Sequence, residues 1–395
     1  MPDGAPIYLD YAATAPLDAR VAEVMSNCLR DPTLQGNPAS GHAPGRAAAA
    51  CVEFARGQVA RLVGAQPDTI VFTSGATESV NLAVLGAARA AGSGKRHVVT
   101  ARTEHRAALD ACRQLEREGF TVGWLKPGTD GGVDPGQVAA ALRPDTALVS
   151  LMHANNETGM INDIAAVGRM CRERGVTFHV DAAQSAGKLP IDVDGMGVAL
   201  LSFCAHKLGG PKGIGALYLR HRPRPALQPL QFGGGHERGL RAGTLATHQI
   251  VGFGLACELA RVGLATEPAR IRALRERLWA GLQPAAPVAR NGAAEPGLPG
   301  ILNVRFPGVE GESLLFALDG SLAASSGSAC SSATAEPSYV LRALGLSDLA
   351  AQASLRLSLG RETTEEEIDR AARLLVACVR RLRAALPAGA IEAIA

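Results

Sequence analysis

Short runs of β-branched and apolar residues alternate with alanine-rich amphipathic stretches through the first two-thirds of this chain. That alternation restricts the possible folds more than any other feature. TIVFTS (69–74), HVVTA (97–101), TALVSLM (146–152), VTFHVDA (176–182), VALLSF (198–203) and GIGALYLR (213–220) read as strands. Between them, ESVNLAVLGAARAA, RAALDACRQLERE and IAAVGRMCRER place apolar residues three and four apart, the spacing of one helix face. Strand-then-helix order predicts an α/β fold, a mostly parallel sheet with helices on both faces. VALLSF is apolar almost throughout and suits the buried centre of such a sheet.

After about residue 263 the texture changes. ARIRALRERLWAGL reads as a helix, and a Pro/Gly-rich passage follows around 285–300. Then come ILNVRF, a loop of small residues and a last helix from Thr364. Thr364 caps that helix, with acidic residues filling its first turn as the helix dipole prefers. The pattern predicts a large α/β domain over 17–263 and a smaller α+β domain formed by 1–16 with 264–395.

Hydrophobic residues make up 47% of the 395, enough for a buried core. Forty Lys and Arg against 37 Asp and Glu leave a net charge of only +3, so no chain-wide field suits nucleic acid. The local run Arg220-His221-Arg222-Pro223-Arg224 reads as a solvated loop before it reads as a docking patch for an acidic partner. MPDGAPIYLD lacks a signal pattern, and no apolar run reaches the ~18 residues of a membrane span, so a cytoplasmic location is expected. The eight cysteines, at 28, 51, 112, 171, 204, 257, 330 and 378, form no CxxC pair, which argues for reduced thiols over a zinc site or disulfide framework.

Ligands of parallel α/β sheets sit at the carboxyl ends of strands. After TIVF comes TSGATES, where Gly75 permits a turn and Ala76 and Thr77 open a helix. Their N–H groups and the Thr77 hydroxyl form an anion seat of phosphate size, although a plain helix start would look the same. Asp181 ends VTFHVD, with Gln184 three residues on. A carboxylate there needs a cation, be it a structural salt bridge or a ligand. In CAHKLGGPKGIG (204–215), Lys207 follows a buried strand among glycines 209, 210, 213 and 215. A lysine at the bottom of a cleft loses hydration and becomes nucleophilic towards carbonyls. Phosphate seat, strand-end Asp and cleft lysine together are what pyridoxal phosphate needs. His105, in TEH, is placed to stack on its ring or else is structural. SSGSACSS (325–332) sets Cys330 among small residues, as an inert loop thiol or a nucleophile on a tether.

The series YLDYAATAP, GNPAS, VFTSGATES, TEHRAALDACRQLEREGF, ANNETG, HVDAAQSAGKLPID, HKLGGPKGIGALY, GGGHERGLRAGT, SSGSAC, EPSYVLRALG and SLGRETTEEEID spans nearly the whole chain. In content and order it resembles the group I cysteine desulfurases of the IscS/NifS type, in the class V aminotransferase family of the PLP-dependent transferase fold type I. The resemblance implies that Lys207 carries pyridoxal 5′-phosphate as a Schiff base and moves the substrate proton. It implies that Asp181 pairs with the ring nitrogen, that Gln184 and Asn156 reach the ring hydroxyl side, and that His105 stacks on the ring. Ala76, Thr77, Cys204, Ala205 and His206 would hold the phosphate, with Thr244 reaching the phosphate of the neighbouring subunit in a homodimer. Arg356, aided by Asn156, would clamp the carboxylate of L-cysteine. Cys330 would take the sulfur as a persulfide, leaving L-alanine, and pass it to acceptors for iron–sulfur cluster assembly or tRNA thiolation. No metal is intrinsic to the site, but Cys330 could transiently ligate a 2Fe–2S cluster shared with a scaffold protein.

Cys204 and Ala205 stand where family members usually carry serine and glycine, and Gly209 replaces a bulky aromatic residue. The chain ends at ALPAGAIEAIA, short of the tail with which related enzymes grip the scaffold. Rival readings are a selenocysteine lyase or small-amino-acid aminotransferase on the same fold, and a non-catalytic sulfur-assembly scaffold. The presence of Lys207, Asp181, His105 and Cys330 argues against the scaffold.

Overall fold

The computed structural model describes residues 6–292, 295–326 and 336–385. A short strand β1 (Ile7–Tyr8) precedes helices α1 (Ala19–Arg30) and α2 (Ala43–Leu62). Then β2 (Ile70–Thr73), α3 (Ala76–Ala90), β3 (His97–Ala101), α4 (Arg106–Arg117), β4 (Thr121–Leu125), α5 (Pro135–Ala141), β5 (Thr146–Met152), α6 (Ile164–Glu173), β6 (Thr177–Asp181), β7 (Leu200–Cys204) and β8 (Gly215–Leu219) follow. The strands build one seven-stranded sheet in the order β2-β8-β7-β6-β5-β3-β4. All pairings are parallel except those of β8, which runs antiparallel to both β2 and β7.

Period-two alternation explains how helices cover both faces. Phe72, Val149, Leu151, Val180, Leu201 and Phe203 point to one side, into a core shared with α1, α2, α5, α6 and α7 (Thr247–Gly263). Val71, Leu148, Leu200 and Leu217 point to the other, against α3 and α4. Phe253 of α7 packs edge-on against Phe72 and tilted against Phe203, with ring centroids 6.5 and 5.7 Å apart. Such pairs add about 1 kcal/mol each beyond their buried area, and they brace the strand that ends at Cys204.

The rest of the chain comprises α8 (Glu267–Leu282), β9 (Ala289–Arg290), β10 (Ile301–Arg305), α9 (Gly311–Ala317), β11 (Leu322–Ala323), α10 (Tyr339–Ala343), α11 (Asp348–Gln352), β12 (Ser354–Ser358) and α12 (Glu365–Ala384), and a second core forms from α8, β10, α9, β11, β12 and α12. Here β10 pairs antiparallel with β9 and β12, and α8 and α12 cover them. The amino-terminal arm joins this unit: β1 lies parallel to β11, and Ile7 and Leu9 bury in its core. Thr364 caps α12 through a capping box with Glu367. Among the described residues no single helix is long and apolar enough to cross a membrane.

Candidate active site

Because β5, β6 and β7 run side by side in one direction, their last residues gather at one edge. Beneath that edge His179 bridges the strands, its ring nitrogens bonded to Ser150 Oγ (2.8 Å) and Ser202 Oγ (2.9 Å). Burial lowers its pKa to about 3, so it is a neutral strut. Two residues on, and so on the same face, Asp181 is 5% exposed, its Oδ1 accepting the Ala183 N–H at 2.9 Å. After β5, Asn155 Oδ1 accepts the N–H groups of Glu157 and Thr158 (2.8 and 2.9 Å) and folds the chain back. That fold buries Asn156 with its Oδ1 unpaired. Gln184 is buried in the turn after β6, its Nε2 donating to Ala12 O at 2.8 Å.

From Cys204 the chain passes through fully buried Ala205 into a single 3-10 turn, His206–Leu208, which carries Lys207. Gly209 ends the turn at φ +77, a conformation that costs other residues about 1 kcal/mol or more. His206 Nδ1 meets Thr14 Oγ1 at 3.2 Å, and burial, with Lys207 adding to it, lowers its pKa to about 4. Burial raises the pKa of the Cys204 thiol, against the opposing pull of the Lys207 charge and, more weakly, of the Lys207 and Ala76 backbone N–H groups.

Ala76 opens α3 behind Gly75, and no side chain caps that helix. Its first N–H groups are therefore available to an anion, favoured by the helix dipole. Gly215 lets β8 press against this turn, since a Cβ there would lie 2.7 Å from the Gly75 backbone. Thr77, in the same first turn, is exposed.

His105 caps α4, its Nδ1 accepting the Ala107 N–H at 3.1 Å. The neutral ring then carries its proton on Nε2. Burial lowers its pKa, while the Asp181 charge pulls it up and the Lys207 charge pushes it down. These three groups thus lie within electrostatic reach of one another. Arg356 projects from β12, 4% exposed, with its guanidinium bonded to Asp10 Oδ1 (2.9 Å) and Asn156 O (3.0 Å) and its Nε unpaired.

Thr244 lines a different, shallow pocket with Phe232 and His236, and it is exposed. Its segment is tied to the sheet at Glu237, which takes a bidentate Arg56 (2.8 Å twice) and the Phe72 N–H (2.7 Å). Cys330 lies outside the described residues.

Four groups near this edge drew no role from the sequence reading: the buried Glu104 and Glu157, and the partly buried Asp10 and Lys188. Each sits inside a quoted motif (YLDYAATAP, TEH, ANNETG, AAQSAGKLP), yet only tertiary packing shows its isolation. Burial holds the Glu104 carboxyl well above the usual range, with one oxygen bonded to the Met152 N–H and the other unpaired. Burial lifts Glu157 to about 7, and its carboxyl accepts from Ser338 Oγ.

The donor set fits pyridoxal phosphate. An amine on a short turn, a buried carboxylate at the adjacent strand end, an uncapped helix start and an unpaired amide oxygen supply its four needs: imine, ring nitrogen, phosphate and ring hydroxyl. The family model for class-V aminotransferases matches residues 7–371. The cysteine desulfurase IscS of Enterobacter sp. (strain 638) is 56% identical over 379 residues, covering 96% of this chain and 94% of that protein. A solved NifS-like protein superposes with a TM-score of 0.87 at 35% identity, covering 96% of this chain and 99% of its own. The structure of SspA in complex with cysteine gives 0.79 at 38% identity, covering 89% and 98%. The chain belongs to the class-V aminotransferase family, in its branch of IscS and NifS-like cysteine desulfurases.

Proposed function

We propose that this protein is a pyridoxal-phosphate-dependent cysteine desulfurase that moves sulfur from L-cysteine to Cys330 and releases L-alanine. The observation that carries the reading is the electrostatic coupling of Lys207, Asp181 and His105, which follow or end β7, β6 and β3 at the carboxyl edge of the sheet. Pyridoxal phosphate, when bound, supplies a carbonyl for the substrate amine and a ring that accepts electrons from the substrate carbon.

The protein's own groups do the rest. Lys207 would hold the cofactor, and its amine, when free, would carry the substrate α-proton. Asp181 keeps a proton on the ring nitrogen. Ala76, Thr77, Cys204, Ala205 and His206 would hold the phosphate, and Gln184 and Asn156 would reach the ring hydroxyl. Arg356 binds the substrate carboxylate in place of Asp10. Neutral His105 holds a proton at Nε2 for the sulfur chemistry. Cys330, as thiolate, attacks the substrate sulfur: an S–S bond forms, the C–S bond breaks, and its electron pair stays with the carbon skeleton, which takes a proton and leaves as alanine.

Residues 17–263 serve as the cofactor-binding domain, and 1–16 with 264–395 as the domain that brings Arg356 and Cys330. Thr244 and the 80%-exposed Phe232 beside it support a homodimer in which Thr244 serves the partner's phosphate. The persulfide then passes, in the cytoplasm, to an iron–sulfur scaffold or another sulfur acceptor. Incubation with L-cysteine should add one sulfur atom to the peptide holding Cys330, measured by mass, with alanine formed alongside. Alanine and protein-bound sulfur that persist in Cys330→Ser would overturn the assignment, as would a transamination product that forms only with an added keto acid.

A further inference from the structure

Lys188 is an amine at the edge of this site that the reaction above leaves idle. It lies one turn after Gln184, in the helical turn that follows β6, where its own N–H donates to Ser185 O at 3.0 Å. The side chain is half-buried. Lys188 Nζ donates to Gln184 Oε1 at 3.3 Å, and Gln184 Nε2 donates to Ala12 O at 2.8 Å. A primary amide has one oxygen and two N–H donors. With the oxygen turned to an amine and one N–H to a carbonyl, a single N–H remains for anything else.

The charges around the amine leave it tied to Gln184. Lys207 and Arg356 repel a proton on it, and Cys204 is the group that favours one. The cavity that Lys188 lines with Lys207 also presents Tyr11, Asp18, Glu267, Arg361 and Glu362. Of these, Asp18 is paired with Arg20 and Arg361, and Glu267 with Arg270. Burial first, and Lys207 second, bring the Lys188 pKa down to about 7.

We propose that Lys188 is a positioning residue for the cofactor: through Gln184 Oε1 it fixes the glutamine amide so that an N–H, and not the oxygen, is offered to the ring oxygen of pyridoxal phosphate. This rests on the reading of the site as a pyridoxal phosphate pocket. Without Lys188 the amide keeps only its bond to Ala12 and is free to turn about it. With Asn156 Oδ1 placed to take the ring hydroxyl's proton, a second amide oxygen facing that hydroxyl would repel it, and an N–H that swings away would leave its lone pairs unpaired.

A double-mutant cycle tests the coupling. Holoenzyme of the wild type, Lys188→Met, Gln184→Ala and the double variant is dialysed against graded pyridoxal phosphate, with occupancy read from the visible absorption. Lys188→Met should weaken retention by about five- to tenfold when Gln184 is present and by less than about twofold when it is not, the size of one ordinary hydrogen bond. Lys188→Arg should restore retention to within about twofold. Lys188→Ala, run in the same cycle, keeps the test available should the methionine variant fold poorly. Equal losses in both backgrounds, or no loss from either Lys188 variant, would overturn the proposal. Failure of the wild type itself to retain pyridoxal phosphate would instead overturn the cofactor reading, and the proposal with it.

Discussion

Glu157 offers a sharp test of the electrostatics of the site. It is 3% exposed, its carboxyl accepts from Ser338 Oγ, and its carbonyl accepts from Asn303 Nδ2 at 3.1 Å. Burial raises its pKa from 4.5 to about 7, against the opposing pulls of Ser338, Arg356 and Arg106. Below pH 4.5 the carboxyl is protonated in both folded and unfolded chains, and it contributes no pH dependence. Between 4.5 and 7 the unfolded chain gives up this proton while the folded chain keeps it, so stability falls as pH rises. Above 7 both states are ionised and the loss is complete. At about 1.4 kcal/mol per pH unit, the full loss is about 3 kcal/mol. Glu157→Gln keeps the shape and a group able to accept from Ser338, and it removes the ionisation. Urea unfolding of the two proteins should therefore give similar stabilities near pH 5, with the variant ahead by about 3 kcal/mol near pH 8. A difference that stays flat across that range, or one that favours wild type as pH rises, would refute the reasoning.

Other substitutions probe the contacts around the cofactor and substrate. Cys204→Ser should tighten retention of pyridoxal phosphate by about fivefold, because a hydroxyl placed near the Ala76 and Lys207 N–H groups is a better hydrogen-bond partner for a phosphate than a thiol; an unchanged dissociation constant would contradict this. Arg356→Lys exchanges a planar fork for a point charge and should raise KM for L-cysteine about tenfold with a smaller change in kcat, measured from alanine release. Gly209→Ala should cost about 1 kcal/mol in unfolding experiments, since the residue stands at φ +77 and its new Cβ would lie 3.4 Å from Pro16 O.

The large sheet was legible because each of its central strands carries apolar residues on both faces, a pattern few other structures tolerate. Its direction was less so. GIGALYLR looks the same whichever way it runs, yet β8 is antiparallel to its neighbours. The reason lies in the connection. Residues 205–214 leave room for a turn but not for the crossover helix that a parallel neighbour requires. The edge strand β4 escaped notice because TVGWL is largely half-exposed and broken by a glycine. Polar residues that end buried strands, such as Asp181, were readable from the sequence, since little else explains a carboxylate there. Lys188 and Glu157 were not, because their burial is set by segments far away: Ala12, through Gln184, for one and Ser338 for the other.

Asp10 shows how the unread residues complete the read ones. A guanidinium that is 4% exposed cannot wait uncompensated for a substrate carboxylate, because an unpaired buried charge costs several kcal/mol. Asp10 supplies the counter-charge, and Ser325 Oγ donates to the same Oδ1 at 3.1 Å. The two partners are unequally enclosed, with 19% of the Asp10 side chain exposed against 5% of the Arg356 side chain. The aspartate can therefore turn towards water when a carboxylate arrives, whereas the arginine has nowhere to go. If Arg356 takes the substrate carboxylate as proposed, binding would exchange one carboxylate for another, and its net gain would be the difference between two ion pairs and not the whole of one. An arginine held in this way is pre-oriented for a bidentate partner without making the substrate-free enzyme unstable. It also gives the sequence motif YLDYAATAP a physical reason to carry its aspartate at position 10.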